Sequence, residues 1–306
     1  MRSRWRCLLV LLCACKAEIG GTPATDATQI TEDAGDLDAP VDAVGTFGPW
    51  SAPIKVPGAS TAANEDDATL SNSKLEMVFA LSDPNIDGGR KHLYYMSRAS
   101  VTSMTWSARM RLGFNVDGTS DETPRFSADD KTLYFASNRA GTAGALDIWQ
   151  VTRTTVGVPT GWNMPSLVGT INSAQTDKWC MPCSTGRYLM ISSRTPSTTE
   201  DIYEGTMGAA PTRSIELSSD GGGETGTFIT ADCKTAYFAS TRSGTNRIYK
   251  ATRATATGAW MPPAIVEDFL ATVGGAQEDP WLSDDQKTFV FSASIGGNKD
   301  VYITTR

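Results

Sequence analysis

The stretch DETPRFSADDKTLYFASNRAGTAGALDIWQVTR, residues 121–153, recurs along this chain, and its recurrence decides the fold. Residues 277–306, QEDPWLSDDQKTFVFSASIGGNKDVYITTR, repeat its order of features. Both run acid-x-Pro, an apolar pair with Ser, an acidic turn before Lys, an aromatic strand, a Gly loop and Asp-aliphatic-aromatic. A further copy spans 223–253, and weaker ones span 64–98 and 176–207. Aligning the aromatic strand puts Phe79, Phe135, Met190, Phe238 and Phe291 in register, at intervals of 56, 55, 48 and 53. A period near ~50 with several short strands per unit is the arithmetic of a β-propeller.

Each unit predicts three strands and a fourth element marked by tryptophan. In the second unit the strands are 124–127, 132–137 and 147–152. Runs such as Leu133-Tyr134-Phe135-Ala136 are apolar on both faces, as strands between neighbouring blades must be. The polar turn at 128–131 has ordinary hairpin chemistry. The fourth strand is expected to carry Trp106, Trp162 or Trp260, with Pro165 or Pro263 suiting an outer edge. A further Trp-x-x-Pro, Trp50 to Pro53, precedes the first unit, while the last unit ends without one. An N-terminal strand that completes the last blade would close the ring and leave no unpaired inner edge. The fold class expected is therefore all-β: a five-bladed β-propeller closed by its N-terminal strand. Two stacked β-sandwiches explain neither the repeat nor the displaced tryptophan.

The string acid-x-Pro-x-Phe-Ser-x-Asp-x-Lys-x-Leu-Tyr-Phe-x-Ser-x-Arg, followed by Asp-Ile-Trp, resembles the WD40-like repeat of TolB-type propellers. Residues 121–149 match it almost fully, 223–249 and 277–302 match well, and the other two units are degenerate. TolB itself usually has six blades and a separate N-terminal domain, so the resemblance covers the propeller repeat only. It implies an envelope-associated propeller that acts as a binding or scaffolding module.

Residue types that recur from unit to unit serve blade geometry, and Ser137, Ser192 and Ser240 with Arg139, Arg194 and Arg242, found in three units, are of this kind. The acids Asp66, Glu122, Asp177, Glu224 and Glu278 also recur, with two roles open to them. They cap backbone N–H groups and pair with those arginines, or they converge at one mouth of the channel. Two like charges at 4 Å repel by about 1 kcal/mol in water and about 4 at an effective dielectric of 20. A converged ring therefore calls for arginines or a bound cation such as calcium, whose ligands the sequence leaves unknown. Alternatively, two of the acids could act as acid and base on a glycoside, which requires carboxylates about 5–9.5 Å apart. No pair stands out in the sequence.

Function should sit where the units differ. The position between Pro124 and Phe126 aligns as Thr69, Arg125, Cys180, Phe228 and Trp281, with Lys178, Trp179 and Asp279 close by. Tryptophan beside carboxylates and cations suits a carbohydrate- or peptide-binding surface. The alternative is that Trp179 and Trp281 pack between blades. His92 is the only histidine and is read as structural.

The opening MRSRWRCLLVLLCACKAEIGG carries Arg2, Arg4 and Arg6 before an apolar run, Leu8 to Ala14, of about seven residues. That length fits a signal peptide and falls far below the roughly 20 residues of a spanning helix. Leu12-Cys13-Ala14-Cys15 resembles a bacterial lipobox, which implies a signal at 1–14 and lipidation of Cys15. An ordinary signal peptide with clustered cysteines is the alternative. Residues 16–46 hold seven acids, one lysine and no aromatic residue, and are read as a tether. As a flexible chain it would span about 30 Å. Of the net charge of −7, only −4 falls on residues 47–306, and without a basic patch nucleic acid is excluded as a partner.

Once Cys15 and the signal cysteines are set aside, Cys180, Cys183 and Cys233 remain. Cys183 and Cys233 fall in equivalent turns of consecutive units, so a bridge between them would staple two blades. A redox role for Cys180-x-x-Cys183 lacks a thioredoxin-like context. The function expected is a lipid-anchored, outer-membrane binding or scaffold protein for an envelope protein, peptide or glycan, monomeric and with catalysis disfavoured. A glycosidase-like activity is the alternative.

Overall fold

The computed structural model describes residues 47–195, 199–266, Leu270 and 273–306. Cys15 and the segment read as a tether lie outside them. Five antiparallel four-stranded sheets form the five blades of a propeller. Blade one comprises Asn64–Leu70, Glu76–Ser82, Lys91–Ser97 and Met110–Arg111. Blade two comprises Asp121–Phe126, Thr132–Ser137, Asp147–Thr152 and Ser166–Leu167. Blade three comprises Asp177–Pro182, Arg187–Ser192, Asp201–Thr206 and Thr212–Arg213. Blade four comprises Glu224–Ile229, Thr235–Ser240, Arg247–Thr252 and Ala264–Ile265.

Blade five takes Ala276–Leu282, Thr288–Ile295 and Asn298–Thr305, and its fourth strand is Ile54–Lys55. Ile54 pairs with Ile303 and Lys55 with Tyr302. The pairing extends at both ends, from Ser51 N–H to the Thr305 carbonyl at 2.8 Å and from Val56 N–H to the Val301 carbonyl at 2.9 Å. The ring thus closes through hydrogen bonds between the two ends of the propeller.

The recurrent tryptophans have a specific task. Arg98, Arg153, Arg253 and Arg306 follow the third strands, and each directs Nε at the backbone carbonyl of a turn residue, at 2.7 or 2.8 Å. Those residues, Lys74, Asp130, Cys233 and Gln286, are all left-handed, with φ of 60, 57, 62 and 54°. The guanidinium then stacks on Trp106, Trp162, Trp260 or Trp50 at 4.7, 4.5, 4.0 and 4.3 Å. These tryptophans stand before the short fourth strands rather than inside them, a correction to the sequence reading. Their position is set by the arginine they cover. Trp50 serves blade five as Trp162 serves blade two.

Neighbouring blades are joined by buried polar contacts as well as by apolar packing. Glu76 of blade one receives two hydrogen bonds from Arg153 of blade two, at 2.7 and 2.8 Å. Glu204 of blade three receives Arg253 Nη1 and Trp260 Nε1 of blade four, at 2.7 and 3.1 Å. Cys183 and Cys233 form a disulfide between blades three and four, with Cα atoms 5.5 Å apart. Cys180 is buried and free, and burial pushes its thiol pKa up, away from reactive thiolate chemistry.

Candidate functional site

Every first strand breaks register at the same place. The shifts fall between Asp66 and Thr69, Glu122 and Arg125, Lys178 and Met181, Thr225 and Phe228, and Glu278 and Trp281. Within each bulge sits one left-handed residue: Asp67, Thr123, Trp179, Gly226 and Asp279, with φ of 59, 57, 51, 58 and 56°. Four of the five carry side chains in a region that favours glycine, and strain of this kind clusters at functional sites. Gly226 obeys a separate constraint, since a Cβ there would lie 2.6 Å from the Asp279 nitrogen.

The bulges divide the predicted acids into two sets. Adjacent strand residues face opposite ways. Asp177 and Glu224 are buried within their blades, where Arg194 and Arg242 pair with them at 2.9 and 3.0 Å. Asp121, not Glu122, fills that role in blade two, 2.6 Å from Arg139. Ser137, Ser192 and Ser240 accept from the same arginines at 2.9 to 3.0 Å. The residues one position later, Asp66, Glu122, Lys178, Thr225 and Glu278, stand at the channel mouth. Asp177 and Glu224 therefore do not join the mouth. A one-residue misalignment likewise placed Cys180 among the channel positions, where Met181 stands in register with Arg125.

At the mouth, charges from three blades interlock. Lys91 Nζ lies 2.8 Å from Asp66, 3.2 Å from Asp67 and 3.3 Å from Glu122. Lys299 Nζ pairs with Glu278 at 2.5 Å and Asp66 at 3.4 Å. Asn246 Nδ2 donates to Glu278 at 2.7 Å, and Lys178 pairs with Glu200 at 2.6 Å. Asp67, Lys91 and Lys299 were not foreseen from sequence. Their signal was an acidic doublet in NEDDATL and a lysine opening the third strand of units one and five.

Beneath the mouth the bulge residues meet across the channel. Trp179 Nε1 donates to Asp67 Oδ1 at 2.9 Å, and Lys178 Nζ lies 4.5 Å from the tryptophan ring centre. Asp67 N–H donates to Asp279 at 3.3 Å, and Trp179 N–H donates to Thr123 Oγ1 at the same distance. Arg125, wholly buried, seals the next layer by donating to the carbonyls of Thr227, Asp67 and Pro124 at 3.3, 3.5 and 3.0 Å. On the far side, Leu70, Phe126, Met181, Phe228 and Trp281 leave a cavity of about 20 Å³. That holds about one water molecule, so Trp281 packs against Phe228 rather than facing a ligand there.

Burial and neighbouring charge separate the three central carboxyls. Burial and the adjacent Asp67 push Asp66 up to about 6. Burial works against ionisation of Asp67 too, yet Lys91 and Lys299 hold it well below the usual carboxylate range. Burial and the adjacent charge of Asp67 raise Asp279 well above its ordinary value. Oxygens of Asp66, Asp67 and Asp279 lie within 4.8 Å of one another, a spacing that could hold a cation, although two lysines already occupy their company. His92 is buried against Asp87 at 3.1 Å, with Arg111 at 3.3 Å from its ring nitrogens. A positive neighbour so close disfavours a metal at that histidine.

No protein-family model and no curated protein matches the chain. Among solved structures it is similar to Zg3597, a family 117 glycoside hydrolase from Zobellia galactanivorans, with 10% identity and a TM-score of 0.56 over 85% of this chain and 90% of that one. It is similar to an endo-arabinase from Bacteroides thetaiotaomicron, with 11% identity and a TM-score of 0.55 over 82% and 96%. TolB from Acinetobacter baumannii matches at 13% identity and a TM-score of 0.47 over 80% of this chain, which spans 55% of that one. Identities this low speak to the fold alone, and the five-bladed β-propeller is read from the chain's own five sheets.

Proposed function

We propose that this protein is an envelope-anchored lipoprotein whose propeller binds a protein or glycan ligand at its polar channel mouth. The observation that carries the reading is the contrast in exposure there. The side chains of Glu122, Glu278, Lys91 and Lys299 remain 14, 16, 25 and 24% exposed, while Asp66, Asp67 and Asp279 beneath them are buried. Charges fixed in place by one another form a preorganised rim, and a ligand meeting it orders few side chains. Hydroxyls or amides can exchange hydrogen bonds with such a rim without a reaction. The opening lipobox-like stretch supports the anchor.

Hydrolysis of a glycan is the second reading, favoured by one specific feature. Asp66 and Asp279 are pushed up while Asp67 is held down, the kind of split that acid and base catalysis uses. Their burial keeps a glycosidic oxygen away, which is why binding is preferred. The experiment is a panel of envelope glycans and peptides, scored for retention by the protein and for release of reducing ends. Retention without release supports the binding reading. Release that disappears in Asp66→Asn would replace it with the enzymatic one, and retention of no panel member would contradict both.

A further inference from the structure

A second cavity, of about 650 Å³, lies at the seam where the last blade meets the first. Blade five contributes Ile54, Ile303, Lys287 and Arg306 to its lining, and the loop after the third strand of blade one contributes Val101 and Met104. Its volume falls within the roughly 300–1,000 Å³ of small-molecule sites. Ile54 and Val101 are 48 and 46% exposed, so two large apolar side chains from different blades face solvent within one concavity. Single exposed apolar residues are ordinary, but a shared hollow lined by several is not.

Charge gives the hollow a polarity. Lys74 of blade one pairs with Asp285 of blade five across the seam. Lys287 is exposed and forms no ion pair among the described residues. Arg306 directs Nε at the Gln286 carbonyl at 2.7 Å and stacks on Trp50 at 4.3 Å, which fixes its guanidinium near the cavity. With Lys74 neutralised by Asp285, Lys287 is the cation left without an ion pair among the described residues at the rim of an apolar interior.

We propose that this seam cavity binds an anionic amphiphile, a medium-length hydrocarbon chain ending in a carboxylate. The tail lies along Ile54, Val101, Met104 and Ile303, and the head meets Lys287. A neutral head finds no partner to replace its water, and a cationic head is repelled. The site is separate from the channel mouth and does not depend on the function proposed for it.

The test is calorimetric titration of the full chain with dodecanoate below its micelle concentration, beside dodecyltrimethylammonium and dodecyl maltoside. Dodecanoate is expected to bind one saturable site at least about tenfold more tightly than either of the others. Lys287→Glu and Val101→Asp should each weaken it by about tenfold. Both positions are exposed, so unchanged melting temperatures will show that the variants fold. No saturable binding, equal binding of all three amphiphiles, or wild-type affinity in both variants would overturn the proposal.

Discussion

Replacing Glu76 by alanine should weaken the joint between blades one and two by about 3–5 kcal/mol. Glu76 is buried at the start of a second strand, and both of its oxygens accept from Arg153, at 2.7 and 2.8 Å. Arg153 is held from two other sides, by the Asp130 carbonyl at 2.8 Å and by the ring of Trp162 at 4.5 Å. It therefore cannot swing out to water when its partner is truncated. The variant buries a guanidinium with two donors unpaired, and that desolvated charge sets the cost. For a domain of this size each kcal/mol lowers the melting temperature by about 2–4 °C, so calorimetry should record a fall of about 6–20 °C. Removing both charges, with Glu76→Leu and Arg153→Met, should restore at least half of the loss, because no uncompensated charge remains. A melting temperature for Glu76→Ala within about 2 °C of wild type would refute the reasoning, as would losses that simply add in the double variant.

Three further outcomes follow from the same structure. Deleting residues 47–57 removes the Ile54–Lys55 pairing, the buried Val56 and the Trp50 stack, and should abolish cooperative melting, whereas deleting 17–45 should leave it unchanged. Similar melts of the two truncations would contradict closure by the N-terminal strand. Asp279 has a raised folded-state pKa, so its contribution to stability is lost as pH rises from the ordinary carboxylate range through that value. Asp279→Asn should accordingly match wild type near pH 4 and melt higher than it at pH 8; an equal loss at every pH would count against the raised pKa of Asp279. Metabolic labelling with a fatty-acid analogue should mark the wild type and spare Cys15→Ser, and equal label in both would remove the lipid anchor from the account.

The blades were legible because their signal is redundant. Apolar strands such as Leu133 to Ala136 must face neighbours on both sides, and the polar turns recur at fixed places between them. Closure was legible for a related reason: a tryptophan that covers an arginine in other blades was missing at the end and present before the start. The mouth was only half legible. A bulge adds a residue without changing composition, and Asp67, Thr123, Trp179 and Asp279 adopt left-handed backbone that their side chains do not announce. Aligning acids by type therefore merged Asp66, Glu122 and Glu278 with Asp177 and Glu224, which lie one position earlier and face their own arginines. Lys91 and Lys299 escaped notice because they reach the acids from third strands, and the contact of Lys299 with Asp66 exists only once the ring has closed.

The most direct measurement is calorimetric titration of a glycan or peptide retained from the panel against three forms of the protein. They are wild type, Glu122→Gln with Glu278→Gln at the polar mouth, and Lys234→Glu in a turn on the opposite face. The account predicts at least about tenfold weaker binding for the mouth variant and wild-type affinity for Lys234→Glu. Undiminished binding to the mouth variant, or loss confined to Lys234→Glu, would contradict it.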